Sequence, residues 1–185
     1  MTSVLLARTR VEPETRFRKV DRPTEFFGSI FPINPTALPT SVFVLPRLGL
    51  RVRPGALVAA RDTFRDPLDR VLLAGNWDLP LSAGIGWSRC HVLFQMTSQV
   101  SWQRRETKLD PVTRQQISNG PPVELGPIWA SVESYTRGDE DPGLRIPTDR
   151  LRLITGAPIR LNDIIDGKTV KRLNHTLGVS IAEFE

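Results

Sequence analysis

Two histidines and one cysteine are the only side chains in this chain able to build an imidazole or thiolate site. Cys90 and His91 are adjacent, and His175 lies far along the chain. A structural zinc centre needs four ligands at short spacing, and a Cys–His nucleophile needs the ring within hydrogen-bond reach of the sulfur. Cys90 shares the apolar face of a strand with Val92, Phe94 and Met96, alternating with Arg89, His91, Leu93 and Gln95, so a buried structural thiol is the expectation. Asp62, Asp66 and Asp69 form a D-x3-D-x2-D cluster of the type that binds hard cations. Arg61, Arg65 and Arg70 interleave with them, and the pattern reads as a salt-bridged hairpin tip. Gly84-Ile85-Gly86-Trp87-Ser88 fits neither a dinucleotide fingerprint, whose third glycine would fall at Arg89, nor a nucleophile elbow. No catalytic, cofactor or metal residue is expected.

Two further stretches suit contact rather than reaction. Trp102-Gln103-Arg104-Arg105 sets an aromatic ring beside two cations, as single-strand binding surfaces do, though a strand with Trp102 in a core explains it equally. Arg137-Gly138-Asp139-Glu140-Asp141-Pro142 is an acidic loop, a surface turn or a docking point for a basic partner.

The elements that must carry these residues are short. The chain has 185 residues, with 16 prolines and 13 glycines, which favours turns and extended connections over long helices. Net charge is +5 and rests on arginine, 21 Arg against 4 Lys. Spread along the chain, that charge is a weak nucleic-acid signal and suits protein interfaces as well. One cysteine excludes an intrachain disulfide. The first residues have only a short apolar run before Arg8, too little for a leader, and no stretch reaches the ~20 apolar residues of a membrane helix.

Alternation at Leu48–Val52, Cys90–Met96, Val100–Arg104 and Ile128–Glu133, and the β-branched and aromatic run Val42–Leu45, predict strands. Asp166-Gly167 between Ile164-Ile165 and Thr169-Val170 predicts a type I′ hairpin. The fold class expected is all-β: a small antiparallel β-barrel or sandwich with an extended N-terminal arm and long loops. The organisation expected is an arm at 1–40, a first β unit at 41–107, a long connecting loop at 108–127 and a C-terminal β module at 128–185. No internal repeat stands out.

From about Val100 the order of features is VSWQRRE, LDPVTRQQISNG, WASVES, TRGDEDPG, DRLRLIT and IRLNDIIDGKTVKRLNHTLG. In this order, with Trp129, Ala130, Val132 and Glu133 on one strand and Asp163, Ile165, Gly167 and Leu173 in the closing hairpin, the C-terminal half resembles the head-completion proteins of tailed bacteriophages, also called stopper or head–tail joining proteins. The resemblance implies a virion structural protein of the neck, with no catalytic residue, assembled in the host cytoplasm. It implies a homo-oligomeric ring of about six or twelve copies, contacting portal or adaptor and tail proteins and the packaged DNA, with no membrane partner. Phe17, Phe26, Phe27 and Phe31 of the arm, Trp129, Arg104, Arg105, and Arg137, Asp139, Glu140 and Asp141 of the acidic loop are the expected contact residues. Other tail roles (terminator, baseplate) and a nucleic-acid-binding barrel using Trp102, Arg104 and Arg105 are the alternatives. A hydrolase built on Asp62, Asp66 or Asp69 is the third.

Overall fold

Strands account for all the regular structure in the computed structural model, which describes residues 14–33, 48–53, 55–76, 89–136 and 149–184. In chain order they are β1 Thr15–Lys19, β2 Glu25–Pro32, β3 Leu48–Val52, β4 Thr63–Arg65, β5 Val71–Asn76, β6 Arg89–Met96, β7 Ser98–Arg104, β8 Thr107–Leu109, β9 Gln116–Ser118, β10 Val123–Thr136, β11 Asp149–Thr155, β12 Ile164–Ile165, β13 Lys168–Thr176 and β14 Val179–Phe184. The first six close into an antiparallel barrel in the order β1-β2-β3-β6-β5-β4. A second barrel closes in the order β10-β11-β14-β13-β12-β7, and β8 and β9 form a separate two-stranded ribbon. Closure removes the open strand edges that invite unwanted pairing.

The first barrel is filled by Phe17, Phe26, Leu50, Val52, Phe64, Leu72, Ala74 and Leu93. Phe17 stacks on Phe26, and Phe64 meets both edge-on, with ring centroids 5.2–5.4 Å apart. The segment expected as an arm therefore supplies two staves of this barrel. Phe17 and Phe26 are core residues, because alternation along β1 and β2 turns them inward. The second barrel is filled by Val100, Trp102, Ala130, Leu153, Ile165, Val170, Ala182 and Phe184.

A third apolar cluster lies between the barrels. Val71 and Leu73 of β5 and Val92, Phe94 and Met96 of β6 meet Ile154 of β11 and Val179 and Ile181 of β14. This explains why β5 reads as an unbroken run, VLLAG, buried residue after residue: alternate side chains enter the barrel and the others face its neighbour. Arg61 Nε donates to the Gly178 carbonyl across the same seam, at 2.9 Å. Thr97 alone separates β6 from β7. The boundary between units thus falls at Thr97, not in 108–127. β7 belongs to the second barrel, and 108–127 lies inside that barrel's first connection and the start of β10.

The two barrels share one plan, which corrects the reading that no repeat exists. Taking the strands of each in chain order, the first through sixth are arranged 1-2-3-6-5-4 in both. The segment before the fourth strand repeats in detail: GALVAARD at 55–62 and GAPIRLND at 156–163. Val58 N–H donates to Ala56 O and Ile159 N–H to Ala157 O, both at 2.9 Å. Ala59 N–H donates to Asp62 Oδ2 and Arg160 N–H to Asp163 Oδ2, both at 2.8 Å. Arg61 (φ 74°) and Asn162 (φ 68°) take the left-handed conformation that lets each acid turn back. Val58 and Ile159 plug the same end of their barrels. The repeat escapes a scan of the sequence because the connections differ in length and only Gly, Ala and Asp are identical across this segment.

The expected Asp-Gly hairpin is present. Asp166 and Gly167 have φ of 47° and 77°, the pair of positive values a type I′ turn requires. A Cβ on Gly167 would meet nothing within 4 Å, so Gly167→Ala is expected to cost only the conformational term, about 1 kcal/mol, read as a small drop in melting temperature.

Candidate interaction surface

Among the described residues, several exposed apolar side chains lie on the ribbon β8–β9 and the strand that follows it. Leu109 is 62% exposed, Val112 87%, and Ile117, Val123 and Leu125 are also exposed. The ribbon's tip is built by Asp110. Its carboxylate accepts from Val112 N–H at 2.9 Å and from Thr113 Oγ1 at 2.8 Å, closing an Asx turn before Arg114 reverses the chain at φ 54°. These bonds hold the Asp110 carboxyl below the usual carboxylate range. Gln115 O accepts from Asp110 N–H, and Glu106 O from Asn119 N–H, so the long connection of the sequence is a defined hairpin. Arg105, Lys108 and Arg114 face two acids, Glu106 and Asp110, in this stretch. A nearly neutral, apolar-tipped hairpin suits a protein surface better than a phosphate backbone.

A shallow cleft of about 310 Å³ lies at one end of the first barrel, lined by Thr24, Phe26, Phe27, Arg53 and Leu57 among others. Phe27 is 54% exposed and Leu57 78%. Phe27 is thus a surface residue, while Phe17 and Phe26 are not. Phe27→Ser is expected to lower stability by only about 1 kcal/mol in urea titration, since more than half of the side chain is already exposed. Phe31 and Trp129 are half-buried and pack against the cluster between the barrels. Arg65 lies over the Trp129 ring at 5.6 Å. Trp129 therefore anchors one barrel to the other within the chain.

Trp102 and Arg104 are not a free stacking platform. Trp102 is buried, and its Nε1–H donates to Asp163 Oδ2 at 2.9 Å. Arg104 donates to Asp163 through Nε at 3.0 Å and Nη2 at 2.9 Å, gives a further bond to Pro158 O, and lies 5.0 Å over the Trp102 ring. Burial alone would push the Asp163 carboxyl up. The bonds from Arg104, Trp102 and Arg160 N–H, with the guanidinium charge, outweigh burial and hold it below the usual range. This cluster locks the seam where β7 meets β12, and only Arg105 of the four-residue stretch stays exposed beyond it. In the first barrel Lys19, opposite Phe64, donates to Asp62 Oδ2 at 2.7 Å, just as Trp102, opposite Ile165, donates to Asp163.

Asp66 and Asp69 are likewise engaged in the fold. Asp66 is buried and accepts from Leu68 N–H, Arg70 N–H and Arg70 Nε at 2.7–3.0 Å. Asp69 pairs with Arg65 at 2.9 Å. Among the described residues no three His, Cys, Asp or Glu side chains converge as metal ligands do. Cys90 is buried on β6, where burial pushes its thiol up against the opposing pull of Arg51, while exposed His175 lies on β13 of the other barrel, bonded to Ser180. Arg137, Asp139, Glu140 and Asp141 lie outside the described residues, as do Trp77, Trp87 and the strand expected at 42–45. Sequence reasoning missed Leu109, Val112, Leu57 and the cleft. A run of apolar residues spaced through a polar, Pro-bounded stretch was the available signal.

No family model, no curated protein and no solved structure matches this chain.

Proposed function

We propose that this chain is a structural assembly subunit that acts by contact, of the kind found in the neck of tailed-phage virions, where it would form a ring on the portal–tail axis. The observation that carries the reading is the β8–β9 hairpin, a stiffly turned ribbon that displays Leu109 and Val112 to solvent and adds nothing to either barrel core. Exposed apolar side chains on a defined projection are what protein interfaces use as anchors. Ion-paired acids and a buried thiol are consistent with a scaffold. The assignment to the phage neck itself rests on the resemblance of the C-terminal half.

Size measurement and negative-stain imaging of the purified protein, alone and mixed with portal rings, test the proposal. The expected result is a mass that is a multiple of the 20.8 kDa protomer, either alone or on the portal. A chain that stays a monomer and binds neither portal nor tail would remove it. A nucleic-acid-binding barrel would instead show single-strand affinity falling steeply with salt.

A further inference from the structure

The tandem plan lets the outer faces of the two barrels be compared position by position. In the first barrel Arg61 N–H donates to Ala74 O and Ala74 N–H to Asp62 O; in the second Asn162 N–H donates to Val170 O and Val170 N–H to Asp163 O. Ala74 and Val170 are therefore equivalent, and so are the residues paired with them on the sixth strands, Leu93 and Phe184. One step along, where side chains turn to the outside, three neighbouring strands carry a row of residues. In the first barrel the row is Gly49, Val92 and Gly75. In the second it is Arg152, Glu183 and Arg172.

The small, apolar row is covered. A Cβ on Gly49 would run into the Phe31 ring, and one on Gly75 would lie 2.8 Å from the Leu177 carbonyl oxygen, at the tight turn between β13 and β14. Asn76 N–H donates to that carbonyl, and Val92 and Leu177 belong to the cluster between the barrels. A β-turn thus sits on this spot of the first barrel. The equivalent spot of the second barrel is an open cleft of about 420 Å³, lined by Leu161, Lys171, Arg172, Asn174, Ile181 and Glu183 among others. Its charge comes from a β-bulge. The register shifts between Val170 and Arg172, and Lys171 and Arg172 are exposed side by side. Glu183 is paired with Arg152 at 3.8 Å, and Glu133 stands opposite Arg152 on the next strand. Among the described residues neither Lys171 nor Arg172 forms an ion pair. Two unclaimed cations beside the half-exposed Leu161 suit a segment that brings both carboxylates and apolar area. We propose that this cleft docks an acidic β-turn of a partner protein, seated as the Leu177–Gly178 turn is seated on the first barrel. The proposal rests on the reading that the chain acts by contact, and it states the chemistry of one partner surface.

The test titrates the isotope-labelled full chain with four probes: a disulfide-cyclised hairpin peptide whose Asp-Gly turn is flanked by glutamates, the same peptide with Asn and Gln in place of the acids, inorganic phosphate, and a single-stranded oligonucleotide. The acidic peptide is expected to shift the amide signals of Lys171, Arg172 and Asn174, and the neutral one to leave them in place. Lys171→Gln with Arg172→Gln should weaken the acidic peptide ~10-fold or more. Both side chains are exposed, so the melting curve should match the wild type. Leu161→Ser should weaken the peptide and leave any binding of phosphate unchanged, which separates a seated turn from a bare anion. Three results would overturn the proposal: no shift at these amides, a double variant that binds as the wild type does, or phosphate or oligonucleotide taking the cleft as tightly as the peptide. A chain that assembles on portal or tail while its cleft takes no acidic turn would end this proposal and leave the assembly reading standing. A cleft that binds the peptide in a chain that assembles on nothing would do the reverse.

Discussion

Asp163→Ala is expected to cost the fold about 3 kcal/mol, seen as a lower urea midpoint and melting temperature. The Asp163 side chain is 2% exposed and accepts bonds from Arg104, Trp102 Nε1 and Arg160 N–H. Removing it leaves a buried indole N–H and a mostly covered guanidinium without their acceptor, at the seam that closes the second barrel. The same pair gives a pH signature. The folded state holds the Asp163 carboxyl below its unfolded value, so its contribution is fully present above the ordinary carboxylate range, near pH 4, and is lost as pH falls through the folded value. Wild-type stability should therefore decline on acidification below about pH 4, and the decline should be shallower in the variant. Equal acid slopes for the two proteins would show that this carboxylate is not the group responsible.

Phe94→Ala is the second large effect, with an expected loss of about 3–5 kcal/mol. Phe94 is buried in the cluster between the barrels, beside Val92, Met96 and Ile181, and its partners sit on strands too rigidly paired to collapse onto the gap. The site also predicts a change in cooperativity. The wild type should unfold in one transition, because each barrel buries part of its outer surface only on the other. Weakening that seam should split the transition in two, seen as two steps in the melting curve. A single transition shifted to lower temperature would show that the rest of the seam and the strand link keep the barrels coupled.

The legible parts of the fold were those set by local chemistry. Asp166-Gly167 needs positive φ at both positions, and so the hairpin could be placed to the residue. Alternation at Cys90–Met96 and Ile128–Glu133 gave strands because a half-buried pleat demands it. What escaped was set by contacts far apart in the chain. The prolines at 13, 23, 32, 35 and 39 suggested an arm, yet Pro23 sits in the β1–β2 turn and Pro32 ends β2, positions where a ladder bond is not needed. Trp102 reads as a core residue and is one, but a stacking platform stays open as the alternative because the acceptor that ties down Trp102 and Arg104, Asp163, comes about sixty residues later. The tandem plan was hidden behind connections of unequal length. GALVAARD and GAPIRLND share only Gly, Ala and Asp, and their common turn shows only in the backbone.

The single residue between β6 and β7 has a mechanical consequence. Thr97 donates its N–H to Ala130 O at 2.9 Å, so even this link is pinned to the second barrel. There is no slack there for a hinge, and the apolar seam and the Arg61–Gly178 bond resist twisting about it. A load applied at the hairpin of the second barrel is transmitted to the first as torque on a stiff body, without being absorbed in a flexible joint.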